Sequence, residues 1–250
     1  MVGEPYLDGV ASVLVAPAVT RDGVDVVLKV QDPHRESEHE AAALQLWDGD
    51  GAVRLLDQEP EEFALLLERC VPGTPLSAAG AETAMDVFVE LLPRLWKPAG
   101  SPFGSLAAEA AWWVDSLEDT WERFGRPFER KLLDAALEAL QELPHTQGEQ
   151  VLQHQDLHGD NVLASERGWL AIDPKPLAGE REFGVAPIVR SRELGHSRAD
   201  VLGRFDRLTS ELGLDRDRAR GWTIGQTIAW AFNGQHHRGH AEVARWLLEG

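Results

Sequence analysis

Residues 152–174 read LQHQDLHGDNVLASERGWLAIDP. An apolar stretch leads into the polar cluster His154-x-Asp156-x-His158-x-x-Asn161. A second apolar run, Trp169 to Ile172, delivers Asp173 followed by Pro174. Two short strands flanking a polar loop would bring Asp156, Asn161 and Asp173 to one place. A hydroxyl nucleophile needs a base that accepts its proton as the bond to phosphorus forms, and Asp156 suits that task. Asn161 can return on a tight loop as a neutral oxygen ligand, and Asp173 adds a charged one, a pair suited to magnesium. Gly168 permits the intervening turn, and Pro174 biases Asp173 towards an extended backbone. A base with two metal ligands is what phosphoryl transfer from a nucleotide requires. A polar loop whose acids merely cap a helix is the blander reading. It leaves unexplained why so many function-suited side chains lie between two apolar strands.

The same segment admits a rival. His154, Asp156, His158 and Asp160 alternate, and on a continuous strand all four would share one face, as in a hydrolase metal site. Gly159 and Asp160 favour a turn there instead. His236, His237 and His240 form a second histidine group near the C-terminus, read here as a solvated loop.

Lys29 is the next anchor. It sits in VVLKVQ, an otherwise apolar β-branched run, where a lone lysine is often just solvent-facing. Acids follow on a predicted helix, at Glu36, Glu38 and Glu40. A lysine that bridges nucleotide phosphates needs a carboxylate to hold it, and a helix packed on the sheet can supply one. Upstream, Gly9-Val10-Ala11-Ser12 is a small-residue turn whose backbone N–H groups could approach a phosphate. With one glycine it is a weak signal.

Around these anchors the first seventy residues read as β-rich. Val10–Ala16 and Val24–Val30 are joined by the turn signal Thr20-Arg21-Asp22-Gly23, which predicts a hairpin. Glu36–Trp47 has helical spacing, with Ala43, Leu46 and Trp47 on one face. Val53–Leu56 and Phe63–Arg69 read as two further strands, with Asp57-Gln58-Glu59-Pro60 as the turn between them. Val71-Pro72-Gly73-Thr74-Pro75 breaks the pattern as a connector, and the boundary between two lobes is placed there. Helices are predicted beyond it at Ala81–Leu95, Phe103–Phe124, Glu129–Leu143, Ala199–Leu212, Asp217–Phe232 and Ala241–Leu248. The stripes Trp113, Leu117, Trp121 and Leu133, Leu137, Leu140 read as core. There is no internal repeat.

Composition sets outer limits. The 250 residues carry a formal charge of −18 and a single cysteine, Cys70. An intramolecular disulfide is therefore impossible. No apolar run is long enough to span a bilayer, and the N-terminus lacks a basic region followed by an apolar core. These features point to the cytoplasm. The acidic surface repels phosphate backbones and so disfavours nucleic acid as a partner. It would attract a cationic small molecule, although solubility alone also accounts for it.

HQDLHGDN (154–161) followed by IDPK (172–175) resembles the catalytic segment of the aminoglycoside phosphotransferase superfamily. More narrowly, it is similar to the aminoglycoside/hydroxyurea resistance kinases, the group containing streptomycin 6-phosphotransferases. VLKV (27–30), HEAAALQLWDGDGAVRLL (39–56) and LLLERCVPGTPL (65–76) agree, so the likeness covers nearly the whole chain. It implies an α+β, protein-kinase-like fold of two lobes with an ATP cleft between them. Residues 1–70 would form a small antiparallel sheet with one helix, and residues 71–250 a larger, mainly helical lobe. By position, Asp156 would be the catalytic base, and Asn161 and Asp173 would hold magnesium. Lys29 would contact the α- and β-phosphates and pair with Glu40. The backbone of Glu68 to Cys70 would form a hinge against adenine, and Ser12 would lie in the phosphate-covering loop.

Three departures from the family pattern stand out. Gln155 replaces the glycine of the usual His-Gly-Asp. Gly184 follows Phe183 where the family commonly has an aspartate that braces the catalytic loop. The chain begins almost at the phosphate loop, as if its start were trimmed or its first strand weakened. The resemblance implies a kinase that uses ATP and magnesium to phosphorylate a hydroxyl on an aminoglycoside, an amino sugar or hydroxyurea. Glu193, Asp200, Asp206, Glu211 and Glu242, with His196, Trp222 and Trp230, are the candidates for the acceptor site. The departures also raise a degenerate, binding-only kinase fold, and the alternating His/Asp set keeps the metal-dependent hydrolase in view.

Overall fold

The computed structural model describes residues 1–6, 13–32, 35, 38–232 and 237–250. The turn at Thr20–Gly23 joins β1 (Val13–Val19) to β2 (Asp25–Gln31) as an antiparallel hairpin. Thr20 Oγ1 accepts from the Val24 N–H at 3.0 Å, and Gly23 takes φ 85°. Strand β1 runs on to Val19, right up to the turn, three residues past the expected end. Val15 pairs with Lys29, so Val27, Lys29 and Gln31 share one face of β2.

Helix α1 is Glu40–Trp47, shorter than the expected Glu36–Trp47. Glu38 and His39 lie in a turn before it, and Glu36 lies outside the described residues. Its buried face is Ala43, Leu44 and Trp47, whereas Leu46 is exposed. A residue three places from Ala43 falls 60° away on the opposite side from Trp47, towards solvent.

Strands β3 (Leu55–Glu59) and β4 (Ala64–Glu68) complete an antiparallel sheet of order β1-β2-β4-β3. The expected turn Asp57-Gln58-Glu59-Pro60 is mostly strand: Asp57, Gln58 and Glu59 pair with Leu66, Leu65 and Ala64. Polar residues are tolerated because β3 is the exposed sheet edge. The chain reverses at Pro60–Glu62 instead, ending on Phe63 at φ 49°.

The remaining chain is mainly helical. After the Val71–Pro75 connector come α2 (Ala81–Leu95), the two-residue β5 (Gly104–Ser105), α3 (Leu106–Arg123) and α4 (Arg130–Glu142). Ser105 caps α3 by accepting from the Ala108 N–H. Trp113, Leu117 and Trp121 are buried along α3, as fourfold spacing requires. On α4, Leu133 and Leu140 are buried while Leu137 only borders the core.

Next follow β6 (Val151–Gln153), β7 (Val162–Ser165), β8 (Gly168–Ala171), β9 (Leu177–Gly179) and α5 (Ala186–Arg190). The chain ends with α6 (Arg198–Glu211), α7 (Arg216–Ala229) and α8 (His237–Glu249). Strands β7 and β8 form a hairpin, and β5-β9-β6 form a small sheet. The sequence showed neither β5, β7, β9 nor α5, which are too short for a period to register. The C-terminal histidines are not in a loop: α8 begins at His237 and carries His240, while His236 lies outside the described residues.

Two contacts seat the first sheet against the helical part. Ala52 bridges Ala171 of β8, with the Val53 N–H donating to the Ala171 carbonyl at 3.0 Å. Trp47 of α1 stacks on His154 with ring centroids 6.1 Å apart, and its Nε1–H donates to the Leu95 carbonyl. Among the described residues, no helix is long and apolar enough to cross a membrane.

Candidate active site

Lys29 points from β2 into the interior and is only 5% exposed. An unpaired ammonium there would be prohibitive, so partners are required. Its Nζ donates to Glu40 at 2.8 and 2.7 Å and to Asp173 Oδ1 at 2.5 Å. Burial works against the charged lysine, but Glu40 and then Asp173 outweigh it and hold its pKa above the ordinary value. Glu40 is the first residue of α1 and also accepts from Gln31 Nε2 at 2.9 Å. Of the three acids considered on that segment, Glu40 provides this contact, and Glu38 is exposed.

Asp156 follows the end of β6. The turn into it requires Gln155 at φ 65°, a left-handed conformation that glycine adopts freely and that costs a glutamine on the order of 1 kcal/mol. Gln226 of α7 secures this backbone by donating from Nε2 to the Gln155 carbonyl at 3.0 Å. The next turn, Gly159–Asn161, packs against Ser77, where a Cβ on Gly159 would come within 2.9 Å of the Ser77 nitrogen. Asn161 then folds back, its Nδ2 donating to the Asp156 carbonyl at 2.9 Å. That bond leaves the amide oxygen for a ligand.

Asp173 departs from expectation. It follows β8 at φ 55°, not in the extended conformation that Pro174 favours. Hydrogen bonds on either side impose the turn: the Ile172 N–H donates to the Asn161 carbonyl, and the Lys175 N–H to the His154 carbonyl, each at 3.0 Å. Aspartate tolerates this region better than most residues. Its carboxylate is 51% exposed while Lys29 holds one oxygen. The backbone bond from Ile172 to Asn161 brings the two turns together, and a carboxylate with an amide oxygen is a hard, all-oxygen donor pair whose chemistry fits magnesium.

Two cations flank Asp156 that the sequence did not single out. Lys175 Nζ donates to Oδ2 at 2.8 Å, and Arg190 Nη2 lies 3.6 Å from Oδ1. Burial opposes ionisation of Asp156. Lys175, then Arg190 and His158, overcome it and depress its pKa below the usual value. Arg190 donates to Gln226 Oε1 at 2.6 Å and lies over the Trp230 ring. Burial lowers its pKa to about 10, so it stays charged at neutral pH. Lys175 stood in the IDPK motif as a recoverable signal. Arg190 and Gln226 had none, because only the chain crossing brings them to Asp156.

The departure at Gly184 has a steric cause. A Cβ there would meet Gln153 Oε1 at 2.6 Å, so no aspartate fits without moving that side chain. Gln153 Nε2 donates to the Glu180 carbonyl at 2.8 Å. Gln226 and Arg190 hold the Asp156 loop instead.

Other candidates fall elsewhere. Ser12 lies outside the described residues, as does the rest of Gly9–Ser12. The Glu68 carboxylate is taken by Arg167 at 2.6 and 2.7 Å. Cys70 is a free, half-buried thiol whose pKa burial pushes up to about 11. Asp200 caps α6 with Ser197, Asp206 pairs with Arg216, and Glu211 pairs with Arg207. Glu242 meets His196 at 3.1 Å. Trp222 is core, donating to Glu180. Only Glu193, 3.8 Å from His158, and Trp230 adjoin the Asp156 surroundings.

The hydrolase reading loses His154. Its ring is buried, stacked on Trp47, with Nε2 2.9 Å from the Ile172 carbonyl. Strand β6 ends before it, so the alternation does not continue on one face. His158, Asp160 and Glu193 do cluster, but Glu193 accepts from the Gly159 N–H and Ser191, and Asp160 from Ser77.

Burial lowers the His154 pKa from 6.5 to about 4, which has a measurable consequence. The native state keeps it neutral, while the unfolded chain binds the proton more readily. Its contribution to stability is therefore full above about pH 6.5 and is lost as pH falls towards 4, roughly 3 kcal/mol in all. Urea titrations across that range should show this loss, and His154→Phe should flatten it. An equally steep decline in the variant would mean that another group is responsible.

The chain matches the aminoglycoside/hydroxyurea antibiotic resistance kinase family over residues 4–235. It is 41% identical over 233 residues to the hydroxyurea phosphotransferase of Kitasatospora aureofaciens, covering 91% of this chain and 67% of that one. It is 40% identical over 223 residues to the streptomycin 6-kinase of Streptomyces glaucescens, covering 86% and 72%. Among solved structures, the choline kinase LicA from Streptococcus pneumoniae superposes with a TM-score of 0.69 at 14% identity, covering 100% of this chain and 94% of that one. A thermostable mutant of aminoglycoside phosphotransferase APH(4)-Ia gives 0.66 at 16%, covering 100% and 95%. These two establish a protein-kinase-like α+β fold, and with the sequence matches they show that the chain belongs to the aminoglycoside/hydroxyurea antibiotic resistance kinase family.

Proposed function

We propose that this chain transfers the γ-phosphoryl group of ATP, with magnesium, to a hydroxyl of a small molecule. Streptomycin-like aminoglycosides, amino sugars and hydroxyurea are the acceptor classes in view. The supporting observation is that Asp173 meets a buried lysine from the first sheet that Glu40 holds in place, while the neighbouring Ile172 is bonded to Asn161 and Asn161 to the Asp156 carbonyl. In this reading residues 1–70 form the nucleotide-binding lobe and 71–250 the lobe that receives the acceptor. The backbone of Glu68–Cys70 lies against adenine.

Each side chain has a task. Lys29 fixes the α- and β-phosphates. Asn161 and Asp173 hold magnesium, which when bound neutralises charge on the phosphates. Asp156 orients the acceptor hydroxyl and takes its proton. Catalysis then rests on positioning and on charge placed in advance. Trp230 and Glu193 offer the acceptor an aromatic face and a carboxylate. In this reading the reaction runs in the cytoplasm, where ATP is supplied.

The test is ATP consumption with streptomycin, other aminoglycosides, amino sugars and hydroxyurea, with the product read by mass. Phosphorylation of at least one acceptor is expected. Nucleotide binding without transfer to any of them would favour a binding protein that retains the kinase fold.

A further inference from the structure

Helix α1 carries Glu40, the buried partner of Lys29, at its first position. The two ends of this helix are held differently. Its last residue, Trp47, stacks on His154 and donates to the Leu95 carbonyl. At the other end, His39 makes no side-chain bond to the first turn. A helix of two turns without a cap frays at that end, so Glu40 lies where α1 is weakest on local grounds. Two contacts with the start of α3 supply what the local sequence lacks. The His39 ring meets Phe103 edge-on, with centroids 6.2 Å apart and planes at 89°. Four residues upstream, Arg35 lies 4.6 Å from the Trp112 ring centre and pairs with Glu109. Phe103 immediately precedes β5, which pairs with β9 and through it joins β6, the strand that leads into the Asp156 loop.

Resting on the kinase reading above, we propose that His39 and Phe103 are positioning residues for phosphoryl transfer. Their contact ties the start of α1 to the small sheet behind the Asp156 loop, so that Glu40 holds Lys29 where the nucleotide phosphates bind. When His39 parts from Phe103, the first turn of α1 loosens and Glu40 moves with it. The Lys29 ammonium is then drawn further towards Asp173, away from the phosphates and onto the carboxylate assigned to magnesium. Neither ring belongs to the reacting groups in this reading; both act through Glu40. An edge-on aromatic pair contributes about 2–10-fold to an equilibrium beyond the area it buries, which sets the size of the effect.

The competing role is ordinary packing that steadies α3 and nothing more. Both rings are half-buried, so their replacement opens no deep cavity. Phe103→Ala, His39→Ala and Phe103→Tyr in the full chain separate the roles. In both alanine variants the dissociation constant for magnesium with a non-hydrolysable ATP analogue should rise about 3–10-fold, with KM for the acceptor unchanged. Phe103→Tyr keeps the ring and should bind like the wild type. Adding Phe103→Ala to Glu40→Gln should cost little further affinity, because the contact acts through Glu40. Amide hydrogen exchange in Phe103→Ala should quicken across α1 but not in α7. Affinity within about twofold of wild type in both alanine variants, or a full further loss on top of Glu40→Gln, overturns the proposal and leaves the kinase reading intact. A wild type that binds no magnesium–ATP analogue removes the kinase reading, and this proposal with it.

Discussion

Asp156→Asn should reduce kcat by about 10²–10⁴-fold while leaving magnesium–ATP affinity close to that of the wild type. The amide matches the carboxylate in shape but cannot accept the acceptor's proton. The groups assigned to the nucleotide, Lys29, Asn161 and Asp173, contact Asp156 only through its backbone carbonyl, which Asn161 uses and the substitution preserves. The change also removes the negative charge between Lys175 and Arg190. Arg190 is buried, so some loss of stability accompanies the loss of rate. Steady-state kinetics at saturating ATP, beside a binding titration with a non-hydrolysable nucleotide, separates the two effects. A variant that kept kcat within tenfold of wild type would remove Asp156 from the role of base.

Glu40→Ala should destabilise the fold by about 3 kcal/mol, near the lower end of the range for breaking a buried ion pair. The loss arises because Lys29 stays buried with only Asp173 as counter-charge, and because Gln31 Nε2 loses its acceptor. Asp173 is half exposed, so it is a weaker partner than the buried Glu40. Nucleotide affinity should fall as well, since the freed ammonium is drawn further towards Asp173. Glu40→Gln keeps an acceptor for both neighbours and should cost less. Urea unfolding gives the stabilities directly. A cost under about 1 kcal/mol for the alanine variant would mean that Glu40 is not what makes burial of Lys29 tolerable.

The helices were legible because their apolar spacing recurs over three turns or more. Ala81–Leu95 was read with the limits the structure has, and α3, α4, α6 and α7 lie within three residues of expectation at each end. The β1–β2 turn was legible from Thr20 and Gly23. The edge strand β3 was truncated because Asp57, Gln58 and Glu59 look like a turn when neighbouring strands are unknown. In the site, Asp156, Asn161 and Asp173 were legible as a motif, and Glu40 through resemblance. Lys175, Arg190 and Gln226 were not read as parts of the site, although they hold the Asp156 loop.

Read alone, the amino-acid order determined which segments are helix and strand and which side chains could act as base and metal ligands, because those properties depend on local period and residue chemistry. Tertiary structure decided which charges meet. Lys29 and Asp173 are 144 residues apart along the chain, and Arg190 and Gln226 are 36 apart on different helices. It also set the left-handed turns at Gln155, against the preference of that residue type, and at Asp173, against the extended backbone that Pro174 favours. Hydrogen bonds from distant parts of the chain hold those turns, and a bond of that kind has no local period from which it could be read.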